Sequence, residues 1–588
     1  MSEDDRHRFR GGFETGRRAY RVVVAITVLA LVVRFYGLGG RIMHWDEGRV
    51  GYWILRYAET GYFEYRPIIH GPFLLHINRS VFALFGASDF TARLVVALVG
   101  GLLPLAAWLL RDHLRDTELI ALALVLAANP ILLYYSRFMR NDVLVAGFAL
   151  FAFGLFVRLV DTGSQQYLYA GVGVLALAFT TKENALLYPL CWFGATVLVI
   201  DHRLFGLRGA GTDARADGGT VRSPAPTTPD PRQYLRDGAI TLYRWRWPLS
   251  VAVVEFLLLV IFFYAPRGGA ADTPGLWGAM TQPTALPAVI EEALLGSWTD
   301  FVSTWGSDAH RDHAYVPYLL YFVDVLRFAA VPTVAFSILG FLADRYGSGP
   351  RDVVAIATYW GAVSLFGYPI VTDIQAAWAT THVIVPLAIP AAVGIALVYR
   401  WGREATRDRD YHTAAAVGAV LLLVAGGTAG VAADTSYLGP TADRNAERMV
   451  QWAQPGDELK PAIRTVGAVA AANEGTDVLF WGSQVGGTRF YVRDESSLRT
   501  PPAGGPSWTS RLPLPWYLER SGATVTSVSP DTNPYRLRQG APPVVIADER
   551  DGSRLEPHLG GYRRFEGRFK MWGERVVVFV DRSYLAES

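Results

Sequence analysis

Cysteine is nearly missing from this 588-residue chain: Cys191 is the single one, and it lies inside an apolar run. That excludes a disulfide framework and a thiolate-built metal centre. Lysine is almost as scarce, since of 55 basic residues only Lys182, Lys460 and Lys570 are lysine. Charge of either sign is thin, at 18% of residues, against about a quarter in an ordinary soluble domain. It is also nearly balanced, with a formal net charge of +2, so the chain has no basic face for nucleic acid. Neither a glycine-rich phosphate loop nor an internal repeat is present.

What is there in quantity is apolar: 51% of residues, with a mean hydropathy of +0.21. These residues gather into runs of the length a bilayer-spanning helix needs, about 20 residues. Such runs lie near 20–38, 91–110, 118–135, 142–160, 167–181, 184–201, 247–265, 327–344, 353–371, 379–400 and 413–433, eleven in all. Asn129-Pro130 interrupts the third. The first is followed by no small-residue cleavage site before Arg41, so it reads as a span rather than a signal peptide. Arginines concentrate in alternate loops. By the positive-inside rule this places the N-terminus in the cytoplasm and everything after the eleventh run outside.

The expected fold is therefore an all-α polytopic membrane protein carrying a small extracytoplasmic α/β domain. Residues 1–433 form the membrane part. Within it, 202–246 is a cytoplasmic loop whose stretch 207–232 is rich in Gly, Pro and Thr and reads as a partly disordered linker. Residues 434–588 have short apolar runs at 478–481, 523–528, 544–546 and 576–580, with helical patterns around 442–453, 458–473 and 514–521. The aromatic residues Trp481, Trp516 and Tyr517 of this domain suit either its core or stacking on sugar faces.

Charged residues at a membrane boundary are costly unless paired or used, so the loops on the expected outer side hold the candidates. In the first of them, His44-Trp45-Asp46-Glu47-Gly48-Arg49 sets two carboxylates side by side. Asp46 suits a general base on an acceptor hydroxyl, with its neighbour orienting a substrate. The alternative is that the pair caps an amphipathic helix over 48–60. Further on come Arg66 and His70-Gly71-Pro72 at the start of an apolar helix, where His70 is either structural or part of a cavity.

The next such loop, Ser136-Arg137-Phe138-Met139-Arg140-Asn141-Asp142, holds two arginines against the positive-inside trend. Guanidinium groups there suit a phosphate clamp, the alternative being an Arg140–Asp142 structural pair. Thr180-Thr181-Lys182-Glu183-Asn184 brings the one lysine of the membrane half, either on a phosphate or paired with Glu183. In the long loop 266–315, His310, Asp312 and His313 have donor types for a divalent metal, at a spacing too tight to be a signature. His382 in the tenth run faces the same cavity or is a buried hydrogen-bonded histidine.

Together these motifs resemble the GT-C superfamily of integral-membrane glycosyltransferases. The resemblance rests on Asp46-Glu47 after the first span, His70-x-Pro72 opening an outer helix, Phe85-Gly86-Ala87-Ser88-Asp89-Phe90-Thr91-Ala92-Arg93-Leu94 leading into the second span, and Thr181-Lys182 before the sixth. The branch it is similar to holds the protein O-mannosyltransferases and lipid A aminoarabinose transferases. Within that branch the motifs around Asp46, Arg140 and Lys182, with Leu514-Pro515-Trp516-Tyr517-Leu518, are similar to the archaeal flippase-activity-associated proteins of N-glycosylation. Two positions depart from the wider pattern. Gly71 stands where proline is usual, and Gln375, Trp378 and His382 replace a basic residue near the outer end of the tenth span.

The resemblance implies an inverting hexosyltransferase in the plasma membrane, taking its sugar from a polyprenyl- or dolichyl-phosphate donor and passing it to a glycan, glycolipid or glycoprotein acceptor. It implies Asp46 as base and Glu47 as a donor- or acceptor-binding residue, with Arg137, Arg140 and Lys182 on the leaving phosphate. His44, Arg66, His70, Asp142, Glu183, His313 and His382 would line the cavity. No cofactor is required by the resemblance, and a divalent metal stays open. The competing expectation is a lipid-linked oligosaccharide flippase, or a non-catalytic accessory to one. A flippase needs polar residues deep in several spans, and Glu255 is the main charge in the middle of a span here.

Overall fold

The computed structural model describes residues 3–213, 231–268, 275–306, 313–347, 349–372, 374–438, 448–449, 453–483, 489–493, 495, 505–570 and 574–585. All eleven apolar runs are helical within it. Among the described residues, seven helices are long and apolar enough to cross a membrane: Asp89–Leu110, Asp142–Thr162, Glu183–Arg203, Gly238–Tyr264, Asp352–Val371, Ala377–Arg407 and Tyr411–Leu438. The run at 327–344 belongs to a bent pair, Tyr315–Ala329 and Val331–Arg345, which meet at 97°; Pro332 opens the second helix in the position where a missing N–H costs nothing.

The remaining three runs are helical but interrupted or short. Glu3–Phe35 carries Arg21 and Arg34 along its apolar stretch, and Gln165–Thr181 has 17 residues. The run at 118–135 is split into Asp116–Ala128 and Pro130–Tyr135. At the split the Asn129 side chain accepts from the amides of Ile131 and Leu132 and donates to Thr333 Oγ1 (3.1 Å). The break is thus satisfied at bilayer depth, as a low-dielectric surrounding demands.

Ala377–Arg407 is the buried post of the bundle. It crosses Val331–Arg345 so closely that a Cβ on Gly340 would lie 1.9 Å from the Pro390 carbonyl oxygen. Small residues at such a crossing let two backbones meet, the usual device for helix association in lipid.

The C-terminal domain is built on five strands: β1 Val478–Trp481, β2 Val525–Val528, β3 Val544–Asp548, β4 Tyr562–Lys570 and β5 Glu574–Asp581. Their order is β2-β1-β3-β5-β4, with the first three parallel and the last two antiparallel additions. Helices Lys460–Ala472 and Leu514–Ser521 fall where their periodicity placed them. The pattern at 442–453 lies mostly outside the described residues. β4 had no apolar run to announce it: Tyr-Arg-Arg-Phe-Glu-Gly-Arg-Phe-Lys is a charged edge strand, the composition that keeps an exposed edge from pairing further.

Among the contacts of this domain with the membrane bundle, one acid gathers three donors. Asp89, at the start of its span, accepts from Trp516 Nε1 (2.9 Å), the Tyr517 hydroxyl (3.0 Å) and Arg520 (2.8 Å). Trp516 and Tyr517 are buried in that contact and Trp481 in the sheet's core, so none of the three offers a face to a sugar.

Candidate functional site

The helix Trp45–Thr60 carries the paired carboxylates, and its start explains their geometry. His44 is the N-cap: its Nδ1 accepts from the Asp46 amide (3.0 Å), and the Glu47 carboxylate accepts from the His44 amide (2.9 Å). This is a reciprocal capping box with histidine in the serine position. Accepting at Nδ1 requires a neutral ring. Burial drives the His44 pKa down to about 3, helped by Arg140 and Arg41 and opposed by the two carboxylates.

Glu47 is fully buried, and both of its oxygens are taken. Arg93 grips it bidentately (2.7 and 2.8 Å), while the Met139 amide (2.7 Å) and Arg41 (3.4 Å) add to the His44 amide. Burial raises its pKa, but Arg93 and Arg41 overcome this and hold it at about 2. With no open face and no spare lone pair, Glu47 fixes the loop in this arrangement.

Asp46 is different. Its side chain is 17% exposed, and it bonds Arg140 through Oδ2 and Arg49 through Oδ1 (3.2 Å). Desolvation pushes its pKa up; Arg140 and Arg49 outweigh that and bring it to about 2. From Asp46 a row of alternating charge runs inward. Arg140 also bonds Asp142 (3.3 Å), and Asp142 accepts from Lys182 Nζ (2.7 Å). The Arg140 guanidinium lies 3.4 Å from the ring centroid of Trp378, one of the residues that replace the usual basic group. Stacking on an indole holds a guanidinium flat without neutralising it.

His382 closes the inner end. It is 3.5 Å from Asp142, hydrogen-bonded to Asn184 (3.1 Å) and Tyr188, and stacked on Tyr368 at 4.4 Å. His70 pairs with Glu183 (3.1 Å), which also accepts from Tyr65 (2.8 Å). His70 has φ +66, a left-handed backbone that turns the chain against Thr180-Thr181. Gly71, where proline is usual, donates to the Thr181 carbonyl (3.1 Å), and a Cβ there would lie 2.3 Å from the Thr180 oxygen. The departure is therefore a packing requirement that draws the His70 and Lys182 loops together.

Three expected residues lie elsewhere. Arg137 donates to the carbonyls of Arg34 (2.8 Å), Tyr36 (2.6 Å) and Gly37 (3.2 Å) and sits over the Tyr437 ring. It caps the end of the first helix, and its donors go to orphan carbonyls there. Arg66 stacks on Trp53 (4.2 Å) and bonds Glu64, away from the Asp46 row. His313 meets the Pro369 carbonyl through Nε2 (3.1 Å) and lies edge-on to the Tyr318 ring at 4.8 Å. His310 and Asp312 lie outside the described residues. Among the described residues no group of three or more His, Cys, Asp or Glu is arranged to hold a metal.

Sequence reasoning missed Arg93, Arg41 and Arg49. Arg93 did leave a signal: an arginine inside an apolar run, one helical turn after Asp89, has to find a buried acid.

Against known proteins, two family models match. Residues 459–581 match the Agl23 flippase-associated protein C-terminal domain, and residues 69–210 match the dolichyl-phosphate-mannose-protein mannosyltransferase family. No curated protein matches the chain. Among solved structures it is similar to ArnT from Cupriavidus metallidurans in the apo state, at 17% identity and TM-score 0.53, covering 97% of this chain and 100% of that one. The same ArnT bound to undecaprenyl phosphate gives 16% and 0.52, covering 96% and 99%. The oligosaccharyltransferase AglB from Archaeoglobus fulgidus, solved with an inhibitory peptide and a dolichol-phosphate, gives 11% and 0.45, covering 94% and 74%. The chain is thus a multi-span membrane protein that shares the fold of ArnT, and its residues 459–581 are similar to the Agl23 flippase-associated C-terminal domain.

Proposed function

We propose that the chain transfers a sugar from a polyprenyl-phosphate donor to a hydroxyl of a glycan, lipid or protein acceptor, on the outer face of the plasma membrane, with its N-terminus in the cytoplasm. The observation that carries this reading is the row Asp46–Arg140–Asp142–Lys182, a partly open carboxylate at one end and two cations set behind it. That ArnT is solved with undecaprenyl phosphate supports a lipid-phosphate ligand for this fold.

In the proposed reaction the acceptor O–H gives its proton to Asp46 as its oxygen bonds the anomeric carbon. The bond from that carbon to the phosphate oxygen breaks on the opposite face, which inverts the configuration. The carrier leaves as polyprenyl phosphate, with one more negative charge than in the diester. Arg140 and Lys182 meet that charge as it develops, where donors in a dry site are worth most. In the ligand-free state Arg140 holds Asp46 ionised and weakly basic. Donor phosphate draws Arg140 away and strengthens the base where it is needed. His382 and Asn184 orient Asp142, and Glu47 fixes the loop through Arg93.

A second reading, a flippase-associated accessory without turnover, is favoured by the match of residues 459–581. The two separate in proteoliposomes given radiolabelled polyprenyl-phosphate hexose and a membrane glycolipid extract. Label moving onto the extract supports the transferase; label crossing the bilayer on its original carrier supports the accessory or flippase reading.

A further inference from the structure

The helix Trp45–Thr60 has three faces, and one of them has no role so far. At 100° per residue, Glu47, Val50, Ile54 and Tyr57 form one stripe, buried against the bundle. Gly48, Gly51 and Tyr52 form a second, turned to the C-terminal domain: Cβ atoms on the two glycines would lie 2.5 Å from Pro513 and Trp516, and Tyr52 packs on Trp508. The third stripe is Asp46, Arg49, Trp53, Arg56 and Thr60. It begins at the proposed base and ends in a cavity of about 140 Å³ lined by Trp53, Arg56, Thr60, Tyr62, Glu64 and Arg66.

The lining of this cavity is specific in character. Tyr62 donates to Glu64, Glu64 accepts from Arg66, and Arg66 lies over the Trp53 indole at 4.2 Å. Arg56 is paired with Glu59 and lies 3.8 Å from Glu519. Arg56 and Arg66 each already have a carboxylate partner. Beneath these groups Tyr57, Phe63 and Leu75 give the cavity an apolar, largely aromatic floor. An indole and an aromatic floor beside planar, forked donors and acceptors that bridge neighbouring hydroxyls make the combination that holds a sugar ring.

We propose that this cavity is a distal acceptor subsite for a sugar ring of an oligosaccharide whose free hydroxyl reaches Asp46. Seven residues of helix separate Asp46 from Trp53, about 10.5 Å at 1.5 Å per residue. That is longer than one pyranose ring, so an acceptor occupying both positions has at least two sugars. The inference rests on Asp46 being the base, and it narrows the acceptor class to a glycan chain, free or lipid-borne.

The test measures binding and needs no turnover. Full-length protein in nanodiscs is titrated calorimetrically with mannose, glucose and glucuronic acid, and with di- to tetrasaccharides of each. At least one oligosaccharide series is expected to bind tenfold or more tighter than its monosaccharide. Thr60→Trp, which fills the cavity from an exposed position, is expected to erase that preference, and Glu64→Gln to weaken it severalfold, both in preparations that unfold at the wild-type temperature. Absence of any length preference in wild type, or its survival in both variants, overturns the subsite. A length preference lost in Thr60→Trp, in a protein that transfers no label in proteoliposomes, supports the subsite and overturns the transferase reading instead.

Discussion

The Met43 amide donates a 2.8 Å hydrogen bond to the Tyr517 hydroxyl oxygen, a partner 474 positions later in the chain. The same hydroxyl donates to Asp89 (3.0 Å), so one phenol ties the start of the carboxylate loop, the start of a membrane span and the C-terminal domain together. Gln454 bonds the Ile42 carbonyl (2.9 Å), and Thr509 accepts from Trp45 Nε1 (3.0 Å). Tyr517→Phe removes both bonds of the phenol and leaves the Met43 N–H, fully buried, without its acceptor. An unmade bond of that kind costs about 1–3 kcal/mol. Thermal unfolding is expected to move down and label transfer to fall at least tenfold, with undecaprenyl-phosphate affinity within twofold of wild type.

Gly51 gives a sharper version of the same test. An alanine Cβ there would meet Trp516 Cε3 at 2.5 Å, so the helix carrying Asp46 has to shift away from the C-terminal domain. Gly51→Ala is expected to lose most transfer activity. Gly194→Ala, in a membrane helix with nothing within 4 Å of the added carbon, is expected to keep it. Equal activity in the two variants contradicts the idea that this contact sets the helix position.

The three cations first grouped on the phosphate are expected to separate. Arg140→Gln and Lys182→Gln keep a donor for Asp142 but lose charge, and each is expected to weaken undecaprenyl-phosphate binding about tenfold, or 1.4 kcal/mol. Arg137→Gln is expected to leave that affinity unchanged and to lower thermal stability, because its hydrogen bonds run to the carbonyls of Arg34, Tyr36 and Gly37. Calorimetry with the lipid in detergent, beside thermal unfolding, reads both effects.

Much of this was legible in the residues, and the unread part has physical causes. Hydrophobic run length marked each of the seven membrane-length helices among the described residues, because lipid imposes one constraint along the whole span. Asp46, Arg140, Lys182 and His382 were visible as polar residues in costly places. What a linear pattern cannot carry is which partner a charge takes across space. Arg137 and Arg140 are three residues apart with the same chemistry, yet one faces helix-end carbonyls and the other faces Asp46. Asp46 and Glu47 are adjacent, and helical rotation alone sends one to the opening and the other to Arg93. Gly71 read as a departure from a family pattern until the Thr180 carbonyl was seen beside it.

His44 gives the loop a pH signature. The folded protein keeps the ring neutral down to about pH 3, whereas the unfolded chain takes up a proton near 6.5. Between those values the unfolded state binds more protons, so stability falls as pH falls. Asp46 and Glu47, held at about 2 against ordinary values of 3.8 and 4.5, add stability that is full above pH 4.5 and lost only below it as pH falls toward 2. The window from pH 6.5 to 4.5 therefore isolates the histidine within this loop. His44→Asn, which keeps an N-cap acceptor, is expected to flatten the fall in unfolding temperature across that window relative to wild type. Parallel curves for the two proteins contradict the buried neutral ring.

The most direct measurement compares wild type with Asp46→Asn in single-turnover transfer of label from polyprenyl-phosphate hexose, in proteoliposomes with donor saturating. Asparagine keeps the size of the side chain and a hydrogen-bond acceptor but cannot take the acceptor proton, and general-base catalysis contributes about 10²–10⁴-fold. The account predicts a drop in transfer rate of that order with undecaprenyl-phosphate affinity retained. Transfer by Asp46→Asn within a few-fold of wild type would contradict it.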